Sequence, residues 1–369
     1  HKQKMMDFPT SYEKIVTRIK NIQPQAYAHT RNYVDGAVTY LSPYLSRGVI
    51  STRMIWEDLK ARQIPWHEME KLVQELAWRD YFQWVAKTRE INDDIKHTQQ
   101  GIRHYCIPNA ILQASTGING IDSAIQDLYD TGYMHNHCRM YVASLSCNIA
   151  GSHWKNPAQW MYYHLLDGDW ASNACSWQWV AGSNSSKKYY ANQQNINKFT
   201  HLSQFGTYLD RDMDELAMMA IPEPLQATTI WKPDTQQKEI SPLVLQRDKA
   251  LCIYTHYNLD PLWRKDMEAN RVLLLDTQHF EQYPVGDKVI EFIKQLASNI
   301  EGIQIFIGSF DELMDLYKGN EVYFKEHPLF DHFKGVKEER SWLTPEISGY
   351  FPSFFAYWKK VQKALRSEI

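Results

Sequence analysis

The feature that most constrains this chain is a change of texture after Pro222 and Pro224. From residue 8 to about 224, apolar residues recur at mixed three- and four-residue spacings. Met69–Thr88 is typical, with Leu72, Val73, Leu76, Trp78, Tyr81, Phe82 and Val85. Gly120–Tyr129 reads as a helix with Asp122 as its N-cap and Thr131-Gly132 as its break. Met134–Ile149 reads as another, with Ala143, Ser144 and Ser146 small enough for close packing. Strand-like alternation is scarce, so residues 8–224 are expected to form an all-α domain.

Residues 225–249 carry Pro233, Pro242 and several Gln and read as a linker. Beyond it, the short apolar runs Leu251–Tyr254, Arg271–Asp276, Gln304–Gly308 and Glu321–Phe324 are separated by helical patterns at Asp287–Asn299 and Phe310–Tyr317. Strands alternating with helices predict a small, mostly parallel α/β domain over residues 250–369. No G-x-G-x-x-G follows its first run, so the dinucleotide fingerprint is missing. The tail Pro352–Ile369 predicts an amphipathic helix with Phe355, Trp358, Val361 and Leu365 on one side. The expected fold class is therefore multi-domain, α and α/β.

At 369 residues, two sizeable cores are possible. A formal net charge of −3 gives no global attraction to nucleic acid, so such binding needs a local basic rim. Arg47, Arg53, Arg103, Lys187 and Lys188 are its candidates. The five Cys are scattered with no CxxC pair, which argues against a zinc site or a disulfide framework and leads us to expect a cytoplasmic protein. No run is long enough to predict a membrane span, and no signal peptide is visible. The opening His1-Lys2-Gln3-Lys4 is set aside from the fold reading.

Four stretches carry possible chemistry. In Thr39-Tyr40-Leu41-Ser42-Pro43, hydroxyls precede a Pro that can open a helix, where free N–H groups favour a phosphate; an ordinary Ser N-cap is the simpler account. In Glu75–Phe82, Glu75, Trp78 and Arg79 share a helix face that could grip a polar heterocycle, or Glu75 and Arg79 could form a plain surface ion pair beside a core Trp. In Thr131–Met140, Asn136, Arg139 and Met140 share a face, and Arg139 could pair with Asp167 or Asp169. His135 and His137 point apart on a helix, so metal ligation is not expected. The fourth stretch, Trp154–Trp179, gathers five of the 13 Trp around Asp167, Asp169 and Asn173. It could be a lined cavity or an aromatic helical core.

Together these stretches resemble the FAD-binding domain of the photolyase/cryptochrome family. The matching pieces are Y-A-H-T-R-N at Tyr27–Asn32, T-x-L-S-P at Thr39–Pro43, E-L-A-W-R-D-Y-F at Glu75–Phe82, T-G-Y-M-H-N-x-x-R-M at Thr131–Met140, and D-G-D-W-A-S-N-x-x-x-W-Q-W-V-A-G at Asp167–Gly182. They run in one order over residues 27–224, in a style closest to the DASH cryptochrome branch. The resemblance implies an all-helical domain holding FAD and light-driven electron transfer, often serving repair of pyrimidine dimers. It implies that Thr39 and Ser42 meet the FAD pyrophosphate, that Asp167 and Asp169 lie at the flavin ring with Arg139 beside them, and that Asn173 faces flavin N5. Tyr27, Leu41, Arg79 and Asn136 complete the implied cofactor set. Glu75, Trp78, Asn136, Met140 and Trp179 would line the cavity for a flipped-out dimer, and Trp177 and Trp154 would be the first two members of an electron relay. The implied partner is DNA with pyrimidine dimers, possibly single-stranded.

Two departures stand out. No Trp lies near Gly101, where the relay's outermost member is expected; Tyr105 or Trp160 could replace it, or the relay could be cut short. The α/β segment follows the helical one, whereas the family's α/β domain precedes it. No antenna-chromophore residues are therefore assigned, and a second chromophore stays open. The expected activity is cyclobutane-dimer repair. The alternatives are a cryptochrome-like blue-light photoreceptor and a light-independent flavin redox protein.

Overall fold

The computed structural model describes residues 7–234 and 242–369. The opening His1–Lys4 and residues 235–241 of the expected linker lie outside the described residues. No described helix is long and apolar enough to cross a membrane.

The first half is helical. It begins with α1 (Tyr12–Lys20), α2 (Pro24–Thr30), α3 (Ser42–Ser46), α4 (Thr52–Ala61) and the long α5 (Trp66–Thr88). After an irregular stretch come α6 (Asn109–Leu112), α7 (Asn119–Thr131), α8 (Asn136–Ser144), α9 (Lys155–His164), α10 (Trp170–Ala181), α11 (Gln193–Thr200) and α12 (Met213–Met218). A single π turn, Leu145–Ile149, extends α8. A two-residue ribbon pairs β1 (Ile107–Pro108) with β2 (Thr228–Thr229). Local chemistry sets the boundaries. The Ser51 hydroxyl caps α4 by accepting from Met54 N, and Asp169 caps α10 by accepting from Ser172 N. Gly132 ends α7 at φ +77°, and a Cβ there would meet the Leu166 side chain at 2.6 Å. Asp122 is not the N-cap expected of α7. It lies inside the first turn, where its carboxylate accepts from Thr116 N and Gly117 N and draws the preceding loop in.

The second half is built on β3 (Ala250–Tyr254), β4 (Ala269–Asp276), β5 (Ile303–Gly308), β6 (Val322–Lys325) and β7 (Val336–Glu338). Its helices are α13 (Thr277–Gln282), α14 (Asp287–Ala297), α15 (Phe310–Leu316) and α16 (Phe354–Arg366). The sheet is wholly parallel, in the order β5-β4-β3-β6-β7. This is a doubly wound order that reverses direction between β3 and β6. Strands covered on both faces read as continuous apolar runs, as β3 and β4 do. One face buries Leu251, Ile253, Val272 and Leu274 against Phe306 and Phe310. The other carries Cys252, Tyr254, Leu273 and Leu275 into a core continuous with that of the helical half.

Much of the stretch 225–249 is hydrogen-bonded to its surroundings. Beyond the β2 pairing, Trp231 exchanges bonds with Asn156, Val244 N donates to Gln304, and Gln246 N donates to Asn270.

The chain's last segment folds back along α5. Trp342 stacks on Trp84 at 4.3 Å, Phe354 on Trp78 at 3.7 Å, and Trp358 on Trp66 at 6.1 Å. Phe355, expected on the apolar side of the tail helix, is 67% exposed. Capping of α16 by the Ser353 hydroxyl sets the helix phase so that Phe354, Tyr357, Trp358, Val361 and Leu365 face inward instead.

Candidate cofactor site

The loop between α9 and α10 is the centre of the site. Short α3 clamps it: the Ser46 hydroxyl donates to Asp167 O at 2.7 Å, and Arg47 Nε donates to Leu166 O at 3.0 Å. Asp167, thus held, receives a two-pronged bond from Arg139 of α8, Nη1 to Oδ1 at 3.0 Å and Nη2 to Oδ2 at 2.7 Å. The Ser42 hydroxyl donates to Oδ2 at 2.6 Å. Burial alone would raise the Asp167 carboxyl pKa. The Arg139 guanidinium and the Ser42 hydroxyl more than offset it, and the group ends below the usual carboxylate range. Of the two partners open to Arg139, Asp167 is therefore the one used.

Asp169 faces elsewhere. Its Oδ2 accepts from Gln83 Nε2 at 2.6 Å and from the Ser172 backbone and hydroxyl. Asn173, one turn into α10, donates from Nδ2 to Ala158 O at 2.7 Å and is buried. Arg79 makes one long bond, 3.5 Å to Ser42 O.

The remaining expected cofactor residues spread outward. Leu41 is fully buried, and Tyr27 packs beside Arg31 and Glu75. Asn136 is exposed at the start of α8. Thr39 lines a cavity of about 400 Å³, while Arg79 and Asp169 line another of about 260 Å³. Neither encloses the whole set. The donor chemistry nonetheless fits FAD: hydroxyls and an under-bonded guanidinium suit phosphates, and two carboxylates and an amide suit a ring edge rich in N–H and C=O groups.

The expected dimer-binding residues are more dispersed. Glu75 does not pair with Arg79 along its own helix. Its partner is Arg31, at the C-terminal end of α2, which packs across α5. Burial raises the Glu75 pKa, and Arg31 only partly opposes this. Trp78 and Trp179 do not face each other. The ring stacked on Trp78 is that of Phe354, and Trp179, 40% exposed, leans on Tyr189 at 5.7 Å. Met140 is half-buried on α8.

Of the five Trp in Trp154–Trp179, the four others are core residues: Trp154, Trp160 and Trp170 are fully buried and Trp177 is 2% exposed. Trp154 leads outward through His153, ring centroids 5.7 Å apart, to Tyr105 at a further 5.1 Å; Tyr105 is 66% exposed. The basic rim is smaller than expected. Arg47 is fully buried because it bonds to Leu166 O and to His256 O, and Arg53 is held by Glu57 and Glu368. Arg103 and Lys187 remain exposed, beside a half-buried Lys188.

Sequence reasoning missed Gln83 and Arg340. Arg340 Nη1 donates to Gln83 Oε1 at 2.7 Å, so a residue 171 positions from Asp169 reaches it through one amide. No local pattern could have signalled this.

Comparison with known proteins gives a consistent set of likenesses. A family profile described as the FAD binding domain of DNA photolyase matches residues 72–258, just over half of the chain. A deoxyribodipyrimidine photo-lyase of Synechococcus sp. is 29% identical over 202 residues, 52% of this chain and 42% of that protein. A cryptochrome DASH of Danio rerio is 32% identical over 169 residues, 42% of this chain and 32% of that protein. The chain thus spans less than half the length of these relatives. Among solved structures, a Synechocystis sp. cryptochrome aligns with a TM-score of 0.48 at 24% identity, covering 53% of this chain and 44% of that one.

Proposed function

Because the chain belongs to the family of the FAD binding domain of DNA photolyase, we propose that it binds FAD in its helical half and uses light-driven electron transfer to split cyclobutane pyrimidine dimers in DNA. The observation that carries this reading is the Arg139–Asp167 pair, its carboxylate buried and braced by Ser42, at the head of a helix that carries Asp169 and Asn173. A buried ion pair is costly unless fully hydrogen-bonded, so one retained beside an under-bonded Arg79 favours a polar ligand at this point.

FAD, when bound, supplies the light absorption and the one-electron chemistry. The protein's part is positioning. Arg79, Thr39 and Ser42 would hold phosphates. Arg139 and Asp167 would orient the ring edge, with Asn173 near N5 tuning its protonation. Glu75, its pKa raised by burial, can carry a proton and donate to a base carbonyl. Asn136 and Met140, one turn apart on α8, offer no general acid, so the substrate class is the cyclobutane dimer and not the (6-4) lesion, whose repair needs a proton donor there.

One observation favours a second reading, a blue-light sensor: the face of Trp78, expected to meet a flipped-out base, is covered by Phe354. Purified protein illuminated with dimer-containing single-stranded DNA separates the two. Restored pyrimidines support repair. A flavin spectrum that responds to light without any loss of dimers supports sensing.

A further inference from the structure

In a doubly wound sheet, ligands bind beyond the carboxyl ends of the strands, where the strand order reverses. Here that point lies between β3 and β6, and a cavity of about 260 Å³ occupies it. Tyr257 and Asn258 after β3, Lys325 and His327 at the end of β6, and Arg340 with Trp342 form its sheet-side wall. The helical half forms the other wall, from the α3–α4 turn and from Arg79, Asp80 and Gln83 of α5. The two walls meet closely. Gly48 has φ +62°, and a Cβ there would stand 2.3 Å from Tyr257 O.

The hydrogen-bond accounts of this crevice are unequal. Its acids are already engaged. Asp80 accepts from Thr52 Oγ1 and from Leu343 N, Asp169 from Gln83 and Ser172, and Asp260 from Leu262 N, with Lys325 3.5 Å away. Its donors are not. Arg340 spends Nε on Glu326 and Nη1 on Gln83, but its buried Nη2 has no partner among the described residues. The first turn of ten-residue α4 opens on the same space: Ser51 and Thr52 line it, and the Ser51 cap serves Met54 N alone. Surplus donors of positive character, with few free acceptors, select an anion.

We propose that this crevice is a second ligand site, beside the flavin's, that binds a small phosphorylated molecule through Arg340, Lys325 and the first turn of α4. The space is large enough for a phosphate with a short carbon skeleton. Trp342 and Tyr257 give that skeleton an apolar wall. Arg340 belongs to the sheet side yet bonds to Gln83 and, through it, to Asp169, so occupancy would also tighten the junction of the two halves.

The test is calorimetric titration of flavin-loaded protein with inorganic phosphate and with ribose 5-phosphate. Saturable one-site binding is expected for both, tighter for the sugar phosphate. Arg340→Gln is expected to weaken it roughly tenfold or more, the worth of one charge-assisted hydrogen bond. Lys325→Gln, at the crevice rim, tests the same point if Arg340→Gln folds poorly. No saturable binding, or binding indifferent to both substitutions, overturns the site. Binding seen only in flavin-free protein also overturns it, because the phosphate would then be filling the flavin's own place. Flavin content, measured separately, reports on the photolyase reading independently.

Discussion

Phe354 lies face to face with Trp78, ring centroids 3.7 Å apart and planes within 10°. The contact joins the C-terminal helix to α5, 276 residues earlier, and buries Phe354 to 3% exposure. Phe354→Ala is therefore expected to destabilise the protein by about 3–5 kcal/mol, the usual cost of emptying a large aromatic site. Phe354→Leu should cost less and expose the Trp78 face. Urea unfolding gives the first quantity. If Phe354→Ala leaves the midpoint unchanged, the stacked contact is not part of the folded core.

The pair Arg139–Asp167 makes the sharper energetic prediction. Arg139→Met leaves the buried Asp167 carboxylate without its partner, at a cost of about 3–5 kcal/mol; Asp167→Asn strands a half-buried guanidinium and should cost less. Replacing both together, as Arg139→Met with Asp167→Leu, should recover part of that loss while flavin binding stays abolished. Chemical denaturation and flavin content, measured on all three proteins, separate the structural role of the pair from its cofactor role.

Acid should weaken the junction of the two halves. His256, His279 and His327 stand just beyond the ends of β3, β4 and β6, and all three are buried. Burial lowers each pKa, His279 to about 3 and the others well below the ordinary value; the buried Arg47 acts in the same direction on His256 and His279, and Arg340 on His327. A base whose folded pKa is depressed contributes its full stability above the unfolded pKa. That contribution falls as pH drops below about 6.5, by about 1.4 kcal/mol per pH unit for each imidazole. Asp80 opposes one of them. Burial raises its pKa to about 6, so the stability it contributes is present at low pH and is lost as pH rises through 6. The urea midpoint is expected to fall from pH 7.5 to 5.5, and His256→Phe should flatten the fall. A midpoint constant over this range contradicts the account.

The outer relay donor can now be distinguished. Tyr105 reaches Trp154 through the ring of His153 and is open to water, which can take the phenol proton. Trp160 is fully buried, bonded to the Tyr129 hydroxyl. Under the proposed function, Tyr105→Phe should slow photoreduction in the presence of a thiol, and Trp160→Phe should not. The reverse order of rates would place the exit elsewhere.

Much of this was legible from spacing alone, and the failures share a cause. The rhythm of apolar runs located β3, β4, β5 and β6 because buried parallel strands need near-continuous apolar residues. It missed β7, whose Val336 and Lys337 are exposed and whose three residues carry no pattern. The sequence offered Arg139 two acids, Asp167 and Asp169, in the Trp-rich stretch. The choice fell to Asp167 because Asp169 turns back to cap α10. Helical spacing offered Arg79 to Glu75, but the packing of α2 brought Arg31 closer. Likewise Phe354 and Phe355 differ by one position, and only the Ser353 cap fixes which faces inward. Local periodicity reports neighbours along an element; it is silent about contacts such as Arg340 with Gln83, which the packing of two distant segments creates.

The most direct test of the central claim combines two readings of one preparation. Purified protein is denatured to release and identify its cofactor, and a second portion, chemically reduced, is illuminated with blue light over single-stranded DNA carrying cyclobutane thymine dimers. The account predicts released FAD and dimers converted to thymine only in the light, with (6-4) lesions untouched. Well-folded protein that neither carries nor takes up FAD would contradict it.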